Sequence, residues 1–199
     1  MLNYLLASLM LTVISDILGM SFAISVTYIS LKVVKYGEKS FATIALGFSF
    51  LAMALMTEAV HLFMLIISYL VGEILILDPF TEKFKLCWLL VFIFEIFSYS
   101  LITGFYLMRY KKGILVTIFP IILIKTVFPF AILSILVVIL LKSNIKEKRT
   151  PMGFALLALS HLILIFLGIF DPGYVLLISS IAKLVGLYLL FTVIWKVEV

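Results

Sequence analysis

Apolar residues fill this chain in long blocks, separated by short clusters of charge. The blocks cover about 5–34, 41–77, 86–108, 113–141, 152–170 and 174–195. A helix needs roughly 20 apolar residues to cross a bilayer, and each block meets or approaches that length. The pattern predicts an all-α fold, a polytopic transmembrane helix bundle with six long apolar segments, and a single transmembrane domain over 1–199.

Two segments depart from simple spans. Segment two is too long for one upright crossing, so it tilts or projects from the membrane. Asp78-Pro79 stops it, because the residue before proline disfavours helix. Segment four holds Pro120, Lys125 and Pro129, and prolines on both sides of a lysine argue against a straight helix. Asp171-Pro172-Gly173 reads as a tight turn between segments five and six. Trp88 near one end of segment three, and Tyr106 and Tyr110 near the other, suit the two membrane interfaces.

The charges bear on topology. With six single crossings, Lys32, Lys35, Lys39, Arg109, Lys111 and Lys112 share one side. Lys83, Lys85, Lys142, Lys146, Lys148, Arg149 and Lys196 share the other, so neither side is favoured. If segment four turns back, only Lys83 and Lys85 remain opposite all the others. Cytoplasmic loops carry an excess of Lys and Arg, so the reading adopted is a broken fourth segment and seven membrane elements. Its legs would be about 21 Å long, short of the roughly 30 Å hydrocarbon core, and would need to be tilted, buried or extended.

Composition reinforces the membrane reading. The chain is 65% hydrophobic and only 13% charged, with a mean hydropathy of +1.35. Soluble domains carry about 45–50% apolar and about 25% charged residues. The formal net charge of +5 sits in loops between apolar runs, which points to the membrane surface and away from nucleic acid. Cys87 is the single cysteine, which excludes an internal disulfide and reads as a packing residue. No Lys or Arg occurs in the first 30 residues, so the opening block reads as a retained helix and not a cleavable signal. Gln is absent, Asn3 and Asn144 are the asparagines, and Lys outnumbers Arg, a composition compatible with a thermophile.

The halves 1–110 and 111–199 align as an internal repeat. Ser21-Phe22-Ala23-Ile24 precedes the first basic loop, and Pro129-Phe130-Ala131-Ile132 the second. After these loops come Ala45-Leu46-Gly47-Phe48 and Met152-Gly153-Phe154. Apolar sequences align readily by chance, and that alternative stays open. With its basic loop, its Ala-Leu-Gly-Phe start and its Leu/Ala-rich helix bearing His or Glu, the chain resembles small multi-pass membrane proteins of archaea. The resemblance implies a membrane location and assigns no chemistry.

Ionisable residues at membrane depth are costly and face a bundle interior or cavity. The candidates are Asp16, Glu58, His61, Glu95, Lys125, His161 and Lys183, with Glu73 able to snorkel to the interface. Measured from the nearest basic anchors, Asp16 and Lys125 lie about 25 Å along their helices, and Glu95 and Lys183 about 20 Å. Two pairings follow: Asp16–Lys125 with Glu95–Lys183, or Asp16–Lys183 with Glu95–Lys125. Such pairs either glue helices or form a proton or ion pathway.

Glu58 and His61 share a helix face, but no second Glu-x-x-His matches them, so no metal site is expected. No cofactor is expected either, haem b on His61 or His161 being the alternative, since paired imidazoles can ligate haem iron. Their depths differ by roughly 15 Å, which opposes a shared haem. No phosphate loop, zinc-protease helix or serine elbow is present, so an enzyme is not expected. The leading reading is a small permease or ion- or proton-conducting protein of the cell membrane. An accessory subunit of a membrane complex and a haem-binding electron carrier are the alternatives. Lipid is the certain partner on this reading, with complex subunits or further copies of the chain as others.

Overall fold

The computed structural model describes residues 2–71, 82–110, 148–164, 166 and 172–198. These residues form helices α1 (Leu2–Lys35), α2 (Phe41–Leu70), α3 (Glu82–Tyr110), α4 (Arg149–Leu164) and α5 (Pro172–Glu198). Three stretches are long and apolar enough to cross a membrane: Leu5–Lys35, Phe41–Ser68 and Gly173–Lys196. The apolar parts of α3 and α4, Leu89–Phe105 and Arg149–Leu164, are shorter.

Segments one, two, three, five and six thus correspond to α1 to α5. Segment two is helical from Phe41 to Leu70 and turns at Val71, and positions 72–77 lie outside the described residues. Segment four, with Pro120, Lys125 and Pro129, lies outside the described residues, as do Glu73 and Asp78-Pro79. The Pro129 copy of the repeat motif lies outside them too.

Gly37 closes α1. Its φ is +104°, in the left-handed region that glycine enters without a Cβ penalty. The Gly37 amide donates to the Val34 carbonyl at 3.0 Å and the Glu38 amide to the Val33 carbonyl at 3.4 Å. That pairing is the Schellman cap, which satisfies carbonyls a helix end would leave orphaned. It lets α2 start within a few residues and run back along α1.

Cross-helix contacts fix the directions. Ser15 meets Ser180 and Phe22 stacks on Phe191, so α1 and α5 run parallel. Thr27 reaches Ala45, so α1 and α2 are antiparallel. Phe41 packs on Phe105 and Phe50 on Phe94, so α2 and α3 are antiparallel. Ser179 reaches Ser160, which sets α4 against α5 the same way. Neighbours run in the order α3, α2, α1, α5, α4, and a bond from Tyr99 to His161 joins α3 back to α4.

One end of the bundle therefore collects Lys32, Lys35, Lys39, Arg109, Lys148, Arg149 and Lys196. Lys83 and Lys85 begin α3 at the other end. Helix α3 finishes and α4 begins at the same, basic end. Basic residues also suit the C-terminal turns of α1 and α5, where the helix dipole is negative.

Polarity is distributed inside out. Outward positions are large and apolar, among them Leu11, Ile14, Met56, Phe63, Phe97 and Ile181. Buried positions include Thr12, Ser15, Asp16, Glu58, Glu95, Ser98, Ser179 and Lys183. The hydroxyls of Thr12, Ser21, Ser25 and Ser49 bond back to the carbonyl four residues earlier, which satisfies them inside one helix. The apolar core lies nearer the basic end and draws on all five helices, through Ala23, Phe48, Leu51, Tyr99, Phe154 and Leu187.

Two crossings rest on glycine. A Cβ on Gly47 would meet Ile102 Cγ1 at 2.7 Å and the Ser98 carbonyl at 3.2 Å. A Cβ on Gly153 would meet Leu190 Cγ at 2.8 Å and the Gly186 carbonyl at 3.0 Å. Small residues let backbones approach where no aqueous hydrophobic drive holds helices together.

Candidate functional site

Below the apolar core, away from the basic end, the bundle gathers charge. Helix α1 brings Asp16, α2 Glu58 and His61, α3 Glu95, α4 His161 and α5 Lys183, all buried. Each comes from within an apolar run, on the side of its helix turned into the bundle.

Lys183 is the hub. Its Nζ donates to Glu58 Oε2 at 2.6 Å, a short charge-assisted bond with both partners buried. Asp16 and Glu95 also lie within electrostatic reach of that ammonium. Three carboxyl groups from three helices therefore surround one ammonium from a fourth. With every group ionised the cluster would hold two uncompensated negative charges. Burying such charges costs several kcal/mol each, so the arrangement calls for further positive charge, as protons, a cation or other side chains.

Asp16 is 1% exposed, and neither of its carboxyl oxygens has a hydrogen-bond partner among the described residues. It faces Glu58, Lys183 and Glu95 through space. The adjacent Ser15 hydroxyl is committed to the Ser180 carbonyl at 2.9 Å, which locks α1 against α5 one turn from Lys183.

A second polar chain extends from Glu95. Tyr99 is one turn further along α3, and its hydroxyl shares a hydrogen bond of 3.0 Å with His161 Nε2. The two rings pack edge to face at 5.6 Å. Ser160, beside His161, donates to the Leu157 carbonyl at 2.7 Å, and Ser179 donates to the Ser160 carbonyl at 2.9 Å. His61 lies one turn beyond Glu58 and senses its charge.

Depth along the helices pairs Lys183 with Glu95 or Asp16. The direct partner is Glu58 instead. The sequence links Glu58 to His61 through their shared helix face and assigns it no base; the packing of α1 between α2 and α5 brings Glu58 to Lys183. The pairings that involve Lys125 lie outside the described residues. Tyr99 escaped notice as one more aromatic; its spacing of four from Glu95 was the available signal. Among the described residues, no group of three or more His, Cys, Asp or Glu side chains is placed to hold a metal. Iron coordination through His161 Nε2 would displace the Tyr99 bond.

No protein-family model, curated protein or solved structure matches this chain.

Proposed function

We propose that this chain is a small multi-pass protein of the cell membrane that conducts protons or another small ion through its buried charge cluster. The observation that carries the reading is the meeting of Asp16, Glu58, Glu95 and Lys183 inside a bundle whose outer face is apolar. Inert packing would be served as well by apolar side chains, since replacing a buried ion pair by them is often neutral or stabilising. Titratable groups at membrane depth are typical of ion and proton routes.

The orientation follows from charge. The end bearing Lys32, Lys35, Lys39, Arg109, Arg149 and Lys196 is the cytoplasmic one on the positive-inside pattern.

An internal repeat supports a transport role. The Gly47 crossing on Ser98 and Ile102 has a counterpart in Gly153 on Gly186 and Leu190. The register that equates these residues also equates Glu95 with Lys183. A rotation carrying α2 onto α4 and α3 onto α5 would keep helix directions, as in parallel repeats about an axis along the membrane normal. The acid of one half would then face the base of the other at the repeat interface, where transport sites commonly lie.

The test is proton flux into proteoliposomes loaded with a pH-sensitive dye, with a potassium diffusion potential as the driving force. Wild-type protein should acidify the interior, and Glu58→Gln or Lys183→Met should lower the rate at least tenfold. Equal rates in protein-containing and empty vesicles for protons, Na+ and K+ would leave the cluster as helix glue and favour an accessory subunit.

A further inference from the structure

We propose that Asp16 is the exchangeable proton-binding group of the cluster, and that the Lys183 ammonium alternates between Glu58 and Asp16. The inference deepens the conduction reading and rests on it for its purpose, though not for its chemistry.

The geometry behind it is an asymmetry between two acids around one base. Glu58 holds Lys183 at 2.6 Å. Asp16 is as deeply buried, lies within electrostatic reach of the same ammonium, and has no donor on either oxygen among the described residues. A lysine side chain has four flexible carbons and three donors, which suits it to a change of partner. The groups that face Asp16 are Glu58 from α2, Lys183 from α5 and Glu95 from α3. Tyr99 and His161 stand behind Glu95 and Lys183.

The cycle balances. On this proposal the observed Lys183–Glu58 arrangement has the lysine charged and a proton on Asp16. Asp16 releases that proton, and the O–H electron pair stays on the carboxylate. The ammonium then leaves Glu58 for Asp16, keeping its own protons. Glu58 takes a proton from the other side, passes it to Asp16 and receives the ammonium back, which restores the starting arrangement. One proton enters the cluster and one leaves, Lys183 stays charged throughout, and the net charge is the same at both ends of the cycle.

Asp16, Asp78 and Asp171 are the aspartates of the chain, which makes isotope-edited infrared spectroscopy nearly site-specific. Protein grown on aspartate labelled with carbon-13 at the carboxyl group should show a protonated-carboxyl stretch shifted by the label. The Asp78→Asn/Asp171→Asn variant should retain the band, so the assignment does not depend on the folding of Asp16→Asn. Glu58→Gln removes one resting place of the ammonium, so Lys183 should settle on Asp16 and the labelled band should vanish. Absence of a labelled protonated band in the wild type, or its persistence in folded Glu58→Gln, would overturn the proposal. Loss of the band on adding Na+ at fixed pH would overturn proton binding in favour of Na+. Flux is read separately: a labelled band that responds to Glu58→Gln in a protein that conducts nothing would sustain the inference and reject the conduction reading.

Discussion

Lys183 and Glu58 are both about one-twentieth exposed, and at that depth the loss of one partner strands the other. Lys183→Met alone should lower stability in detergent by about 3–5 kcal/mol, because the carboxylates around it lose their ammonium. Adding Glu58→Gln should recover a large part of that loss, because the carboxylate bonded to Lys183 is then gone too; a double variant no more stable than the single one would show that no ion pair was holding the site. The Tyr99–His161 bond is neutral and smaller in effect. Tyr99→Phe should cost about 1–3 kcal/mol, since the His161 nitrogen is left buried without its partner, and chemical denaturation in mild detergent would read it. These residue-level roles were half legible in the sequence. A carboxylate in an apolar run announces itself, as Asp16 and Glu95 do. Which carboxylate meets which base depends on side chains of different helices pointing to the same spot, and no spacing along one helix encodes that.

Helices α4 and α5 approach through Gly153 and Gly186, and a Cβ on Gly186 would sit 2.8 Å from the Gly153 carbonyl oxygen. Backbone cannot move aside as a side chain can. Gly186→Ala should therefore force the pair apart and destabilise the bundle by about 1–3 kcal/mol. Gly104 is the matched control, because a Cβ there meets nothing within 4 Å among the described residues. Gly104→Ala should leave the melting temperature unchanged or raise it, given the better helix propensity of alanine. A melting temperature lowered as much by Gly104→Ala as by Gly186→Ala would mean that the crossing is not what makes glycine necessary. At this scale sequence reading performed well for α1, α3 and α5, whose ends fall within a few residues of the apolar block limits. For α2 and α4 the apolar blocks continue to 77 and 170, over positions that mostly lie outside the described residues.

Among the described residues, most of the basic side chains lie at one end of the bundle, Glu82, Lys83 and Lys85 lie at the other, and the ionisable cluster sits between them. Single cysteines placed at Lys39, Lys148 and Lys196 in a Cys87→Ser background should react with an impermeant maleimide from one side of oriented vesicles. A cysteine at Lys83 should react from the other. Labelling of Lys39 and Lys148 positions from opposite sides would break the arrangement in which α3 ends and α4 begins together. The count of basic residues alone pointed to a shared side for Arg109 and Arg149, since any other arrangement dilutes the charge asymmetry.

What the chain by itself determined is its solvent. Runs of Leu, Ile, Phe and Val this long fit no aqueous fold, and that follows from composition and length because the cost of exposing apolar surface is additive along the sequence. It also marked the residues that must hide from lipid. The tertiary structure decided their company: that Lys183 rests on Glu58, that Asp16 is left without a donor among the described residues, and that Tyr99 ties α3 to α4. Those outcomes depend on helix rotation and crossing, which are set by glycine contacts and side-chain shape, and such constraints act between segments far apart in sequence.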